Sequence, residues 1–69
     1  MSVFSERLLL LRVMGKFSQK EVAENVGVAI RAYQHYEYGE REPQLSTLVR
    51  IADFYGVSLD YLAGRSDEM

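Results

Sequence analysis

Four residues within one short stretch carry most of the chemistry this sequence offers: Ile30, Arg31, Gln34 and His35. On a helix, with about 100° between successive residues, these four fall on one side, while Ala32, Tyr33 and Tyr36 fall on the other. Arginine is a planar bidentate donor, glutamine both donates and accepts, histidine offers a ring nitrogen, and isoleucine a branched apolar surface. A face that merely meets solvent more often carries Lys and Glu. The set matches what base edges present in a DNA major groove: guanine O6 and N7 for arginine, adenine N6 and N7 for glutamine, the thymine methyl for an apolar side chain. Groups suited to phosphates lie nearby in sequence. Gln19 stands at the start of another helical segment, where free N–H groups and the helix dipole favour an anion. Tyr38 and Arg41 flank the far end of the stretch and can hydrogen-bond phosphate oxygens, although Tyr38 also reads as a surface aromatic with no role.

Other chemistries lack their residues. Cysteine is absent and His35 is the only histidine, which excludes a disulfide scaffold and a thiolate metal site. No glycine-rich phosphate loop occurs, and His35 has no nucleophile near it in sequence apart from tyrosines. A chain of 69 residues buries only about 60% of the surface its unfolded form exposes, so little room is expected for a pocket of roughly a few hundred Å³. No enzymatic activity, cofactor or metal is expected. The run Leu8-Leu9-Leu10-Leu11 is too short to span a membrane and has no cleavage site after it. A cytoplasmic single-domain protein over residues 1–69 is the expectation, with a core over about 4–65 and a frayed tail at 66–69.

The net charge is −2, which argues mildly against a nucleic-acid partner. Its distribution matters more: residues 1–20 carry a net +3 and residues 21–69 a net −5. A face can be basic where the whole is not.

Glycine and proline divide the chain into five pieces, and each reads as a helix. The first covers about 3–14, with Phe4, Leu8 and Leu11 on one face, and stops at Gly15. The second opens with Ser18-Gln19-Lys20-Glu21, a capping box, and ends at Gly27. The third covers about 30–38, ahead of Gly39 and the polar loop Glu40-Arg41-Glu42-Pro43. The fourth covers about 45–55 with Leu48, Ile51, Ala52 and Tyr55 inward. The fifth is capped by Ser58 and ends at Gly64. No segment alternates as a strand would, so the fold class is all-α, a compact five-helix domain. The short turn Gly27-Val28-Ala29 between the second and third helices fits a helix-turn-helix, though a glycine-containing corner alone is common among small α-domains.

From Phe4 to about Arg65, roughly nine-tenths of its length, the sequence resembles the Cro/repressor-type helix-turn-helix domains, also called the XRE family. The stretches that carry the likeness are Phe4-Ser5-Glu6-Arg7-Leu8, Leu11-Arg12, Ser18-Gln19-Lys20-Glu21-Val22-Ala23, Gly27-Val28, Tyr36-Glu37-Tyr38-Gly39-Glu40-Arg41-Glu42-Pro43, and the run from Ile51 to Arg65. The resemblance implies a lambda-repressor-like DNA-binding fold whose second and third helices form the helix-turn-helix, and a transcriptional repressor acting as a dimer. It implies that Ala29, Ile30, Arg31, Gln34 and His35 face bases, that Gln19, Tyr38 and Arg41 lie near phosphates, that Arg12 and Glu37 form an ion pair beneath the recognition helix, and that Leu59 and Tyr61 lie at the dimer contact.

The sequence departs from the family pattern in three places. Ala29 stands where Ser or Thr is usual, which removes the cap oxygen of the third helix at about 0.5–2 kcal/mol. The Glu40-Arg41-Glu42 loop is acidic on balance. Leu9, Leu10, Val13 and Met14 stand where charged residues are common, away from the Phe4, Leu8 and Leu11 face, and offer a surface to a second protein unless the C-terminal tail covers some of them. The expected function is a sequence-specific regulator, a repressor that binds a palindromic operator in double-stranded DNA as a homodimer. The alternative is an antitoxin-like or anti-repressor-like adaptor that uses the first helix on a protein partner, with DNA binding weak or lost.

Overall fold

Serines begin three of the five helices. In the computed structural model, which describes residues 2–69, α1 (Val3–Met14) starts at Ser2, whose hydroxyl accepts from the Ser5 amide at 3.1 Å. The helix α2 (Gln19–Val26) starts at Ser18 with both arms of the capping box formed: the Glu21 amide donates to Ser18 Oγ at 3.0 Å, and the Ser18 amide to Glu21 Oε1 at 2.8 Å. The short α5 (Leu59–Ala63) starts at Ser58, which accepts from the Tyr61 amide. Two helices lack a side-chain cap: α3 (Ile30–Glu37), which follows Ala29, and α4 (Leu45–Tyr55), which follows Gln44. The missing oxygen at Ala29 is thus not replaced by another side chain. Among the described residues all regular structure is helical, and the bounds agree with the glycine punctuation to within about a residue. Met1, part of the expected 1–69 domain, lies outside the described residues.

Two turns set the geometry around α2. After α1, Gly15 stays right-handed, and Lys16 takes the left-handed conformation at φ 60°. Glycine is nonetheless required at 15, because a Cβ there would stand 2.6 Å from the Phe17 ring. That ring packs on Phe54 at 5.1 Å between centroids, and Phe54 packs on Tyr55 at 4.9 Å, which fixes the α1–α2 corner on the end of α4. After α2, Gly27 at φ 77° turns the chain sharply into α3. L side chains seldom adopt that conformation.

The packing follows the expected faces. Phe4, Leu8 and Leu11 of α1 are buried with Val22, Ala23 and Val26 of α2, Tyr33 and Tyr36 of α3, Ile51 and Ala52 of α4, and Leu62 of α5. Leu48 and Tyr55, expected inward, are partly buried against this core. α2 packs on α3 and α4, α1 packs on α3 and α5, and α4 packs on α5.

The tail differs from expectation. Instead of fraying, residues 66–69 are tied to α1 and α5. The Arg7 guanidinium lies 4.3 Å over the Tyr61 ring. It donates to the carbonyls of Tyr61 and Ser66 and to Asp67 Oδ1 at 2.8 Å, and the Ser58 amide donates to the Met69 carbonyl at 2.8 Å. Tyr61 is therefore a core residue, 5% exposed, rather than a surface contact, and Leu59 is the exposed one of the pair. The tail does not cover the apolar side of α1. Leu10, Val13 and Met14 stay 47%, 58% and 61% exposed, while Leu9 is half-buried.

Candidate nucleic-acid interface

The helix α3 turns Tyr33, Tyr36 and Glu37 into the protein and leaves Ala29, Ile30 and Arg31 exposed, with Gln34 and His35 half-buried at the margin. The inward side rests on an ion pair. Arg12 of α1 meets Glu37 through two parallel hydrogen bonds, Nε to Oε2 and Nη2 to Oε1, both 2.7 Å. A third donor of Arg12, Nη1, reaches the Phe17 carbonyl at 3.1 Å, so one guanidinium joins α1, the α1–α2 turn and α3. Such fork-to-fork contacts fix orientation as well as distance.

Glu37 is 2% exposed. Burial alone would raise its pKa, but the facing Arg12, Tyr33 and Gln19 side chains and the charge of Arg12 outweigh it, and the carboxyl titrates below its ordinary range. The hydrogen bond to Glu37 raises Arg12 in turn, against the opposing effect of burial. The hydroxyls of Tyr33 and Tyr55 are buried nearby, and neither makes a hydrogen bond of normal geometry. Burial pushes both phenols up, Tyr55 to about 12 and Tyr33 further.

From this base a chain of amides runs to the surface. Gln19, the first residue of α2, donates through Nε2 to Glu37 Oε1 at 3.2 Å and to Tyr38 Oη at 3.4 Å. Its Oε1 accepts from Gln34 Nε2 at 3.1 Å. Gln19, Gln34 and Tyr38 are thus brought together, and Gln34 is held by a residue of the preceding helix. His35 Nδ1 lies 2.9 Å from Glu40 Oε1, so the acidic loop folds back on the end of α3. Arg41 and Arg31 both remain exposed, Arg41 beyond Glu40 and apart from the amide chain.

Two features of the site carry no signal in the sequence. The Gln19–Gln34 contact joins residues 15 apart through the angle between α2 and α3, which no local pattern encodes. Arg50 of α4 donates from Nε to the Val26 carbonyl at 2.7 Å and so satisfies the end of α2 at the turn. An arginine five residues before a helix end carries no sequence signal for that task.

The basic N-terminal segment does not become a basic face as a whole. Arg7 binds the tail and Arg12 lies beneath α3, which leaves Lys16 and Lys20 exposed there. Two clefts of about 300 and 310 Å³ border the loop at 40–43. They are larger than the size of the chain suggested, and open because they lie between surface segments rather than in the core. Among the described residues no group of three or more His, Asp or Glu could hold a metal ion, and no helix is long and apolar enough to cross a membrane.

A helix-turn-helix family model matches residues 8–62. The HTH-type transcriptional regulator YqaE of Bacillus subtilis is 43% identical over 67 residues, covering 96% of this chain and 58% of that protein. The cryptic phage CTXphi transcriptional repressor RstR of Vibrio cholerae is 38% identical over 65 residues, covering 94% and 59%. A transcriptional regulator from Listeria innocua, known from its crystal structure, superposes with a TM-score of 0.85 at 30% identity, covering 96% of this chain and 62% of the other. The chain spans less than two thirds of the length of these relatives.

Proposed function

The chain belongs to the helix-turn-helix family, and on that premise we propose that it is a sequence-specific DNA-binding transcription regulator, a repressor that binds a palindromic operator as a homodimer. The observation that carries this reading is the outward side of α3. Ala29, Ile30 and Arg31 are exposed there, with Gln34 and His35 at the margin, over a buried ion pair that holds the helix in place. These residues read base edges. Gln19, Tyr38 and Arg41 contact phosphates on either side.

A dimer supplies what one protomer lacks. One short recognition helix spans only a few base pairs, and the net charge of −2 gives little non-specific attraction. Half-sites one turn apart place two recognition helices about 34 Å from each other. A protomer whose longest dimension is 27 Å fits that spacing on a two-fold axis. Leu59, exposed on α5, is the residue assigned to the contact.

Selection of bound duplexes from a random DNA pool tests the reading. Enrichment of an inverted repeat is expected. A pool that stays random in low salt would sink it.

The exposure of Leu10, Val13 and Met14 favours a second reading, in which α1 grips another protein and DNA binding is weak. An electrophoretic shift on genomic fragments at two salt concentrations separates the two. A sequence-dependent shift at both supports the regulator, and no shift at either supports the adaptor.

A further inference from the structure

Resting on the DNA-binding reading above for its role, we propose that the apolar side of α1 docks antiparallel on the same side of a second copy of this chain, and that the pair joins two separate stretches of DNA. The stripe consists of Leu9, Leu10, Val13 and Met14. The last three are exposed and Leu9 is half-buried. A contact across a two-fold axis must be self-complementary, because the same patch serves both copies. This stripe meets that condition along the sequence. Its four positions lie symmetrically about the point midway between Leu11 and Arg12. With two copies of α1 antiparallel about that point, Leu10 of each comes level with Val13 of the other, and Leu9 with Met14. The three-residue spacing from Leu10 to Val13 is that of a helix–helix seam. A partner of unrelated sequence would require no such symmetry.

The charges repeat the pattern. Glu6 falls between Leu10 and Val13 on the helical wheel, within the same side of α1, and Lys16 follows the other end of the helix. Both are exposed. Among the described residues neither forms a salt bridge. In the antiparallel pair Glu6 of one copy comes to within about one residue, along the axis, of Lys16 of the other, a shift that the long lysine stem absorbs. The seam is thus four apolar side chains from each copy between two acid–base contacts. A parallel pair would instead set Glu6 against Glu6 and Lys16 against Lys16.

Arg12, which meets Glu37 of α3, lies about 130° round the helix from the centre of the stripe. Docking through the stripe therefore leaves that ion pair undisturbed, and it leaves Leu59 of α5 free. Because α1 packs on the inward side of α3, two chains joined through α1 turn their recognition helices away from each other. Each then serves its own stretch of DNA.

Sedimentation equilibrium tests the contact, in a Leu59→Glu background that removes pairing through α5, with circular dichroism to verify the fold of each variant. The mass should rise from monomer to dimer at concentrations up to roughly 1 mM, and Leu10→Glu should hold it at the monomer. Glu6→Lys or Lys16→Glu alone should weaken the pairing about ten-fold. An equal mixture of the two should restore it to within about three-fold, since a mixed pair rebuilds both acid–base contacts. A mass that stays at the monomer with α1 unaltered would leave the stripe to a different protein and overturn the proposal. So would pairing undiminished by Leu10→Glu, or a mixture as weak as its components.

The joining of two DNA stretches is read with Leu59 intact. Selected operator duplex on beads should retain a second, fluorescent operator duplex when the chain is added. Leu10→Glu should bind the first duplex and fail to retain the second. If the chain selects no sequence, the DNA-binding reading fails while the pairing of α1 stands on its own measurement. If Leu10→Glu retains the second duplex equally well, the joining role is overturned and the DNA-binding reading stands.

Discussion

Arg12 is the side chain whose removal should cost most. Its two 2.7 Å bonds neutralise a carboxylate that is 2% exposed. Arg12→Met leaves that charge buried beside two phenols, at an expected loss of about 3–5 kcal/mol, measurable by urea unfolding. That is a large part of what a small domain has. The pH dependence has a defined sign. Glu37 titrates below its ordinary 4.5 in the folded chain, so the unfolded chain binds more protons in acid. Its contribution is present above pH 4.5 and lost as pH falls through the folded value. In Arg12→Met the strongest offset to burial is lost and the folded value rises, so the penalty of the substitution should be smaller at pH 4 than at pH 7. Urea midpoints of both proteins at the two pH values check this, and an equal penalty at both would contradict it. At the alkaline end, Tyr55 is raised from 10.0 to about 12 and Tyr33 further, so stability should fall as pH rises above 10. The residue types on α3 were legible from the helical wheel, and the Arg12–Glu37 pairing from family resemblance. The chain of amides was not, because its links depend on where α2 sets Gln19 relative to α3.

Helix ends decide the next scale. The helix α3 begins at Ala29 with no side-chain cap, which leaves amides of its first turn without a side-chain partner. Ala29→Ser should stabilise the fold by about 1 kcal/mol and raise the thermal midpoint. An unchanged midpoint would mean that the added hydroxyl does not reach an amide of the first turn. The α1–α2 turn carries a different penalty, a lysine in the left-handed region. Lys16→Gly should add up to about 1 kcal/mol, whereas Gly15→Ala should destabilise, since its Cβ would stand 2.6 Å from Phe17. Thermal melts of both variants decide whether the strain lies at 16 and the crowding at 15. Glycine and serine made the five helices readable because they act locally, at the ends they cap. The tail misled for the opposite reason. Ser66-Asp67-Glu68-Met69 looks like a loose polar end, and only the fold brings Arg7 to Ser66 and Asp67. The same holds for Tyr61, whose neighbours give no hint that Arg7 covers it.

For the whole molecule, the proposed reading assigns dimerisation and other partnerships to two different apolar surfaces. Leu59→Glu should abolish operator binding and leave the circular dichroism spectrum unchanged, while Met14→Glu, on the exposed side of α1, should leave operator binding intact. Gel shifts on the selected operator read both, and the reverse pattern would exchange the roles of the two surfaces. The acidic loop has a consequence at the scale of the cell. Arg41 lies between Glu40 and Glu42, Arg7 and Arg12 are bound within the fold, and the net charge is −2, so the chain is weakly equipped to displace the counterions of arbitrary DNA. A regulator with a strongly basic surface is largely stored on the chromosome, and that store buffers it against changes in copy number. For this chain, acting as proposed, the store is small. Its free pool follows its synthesis and degradation closely, and a modest change in either passes to the operator with little damping.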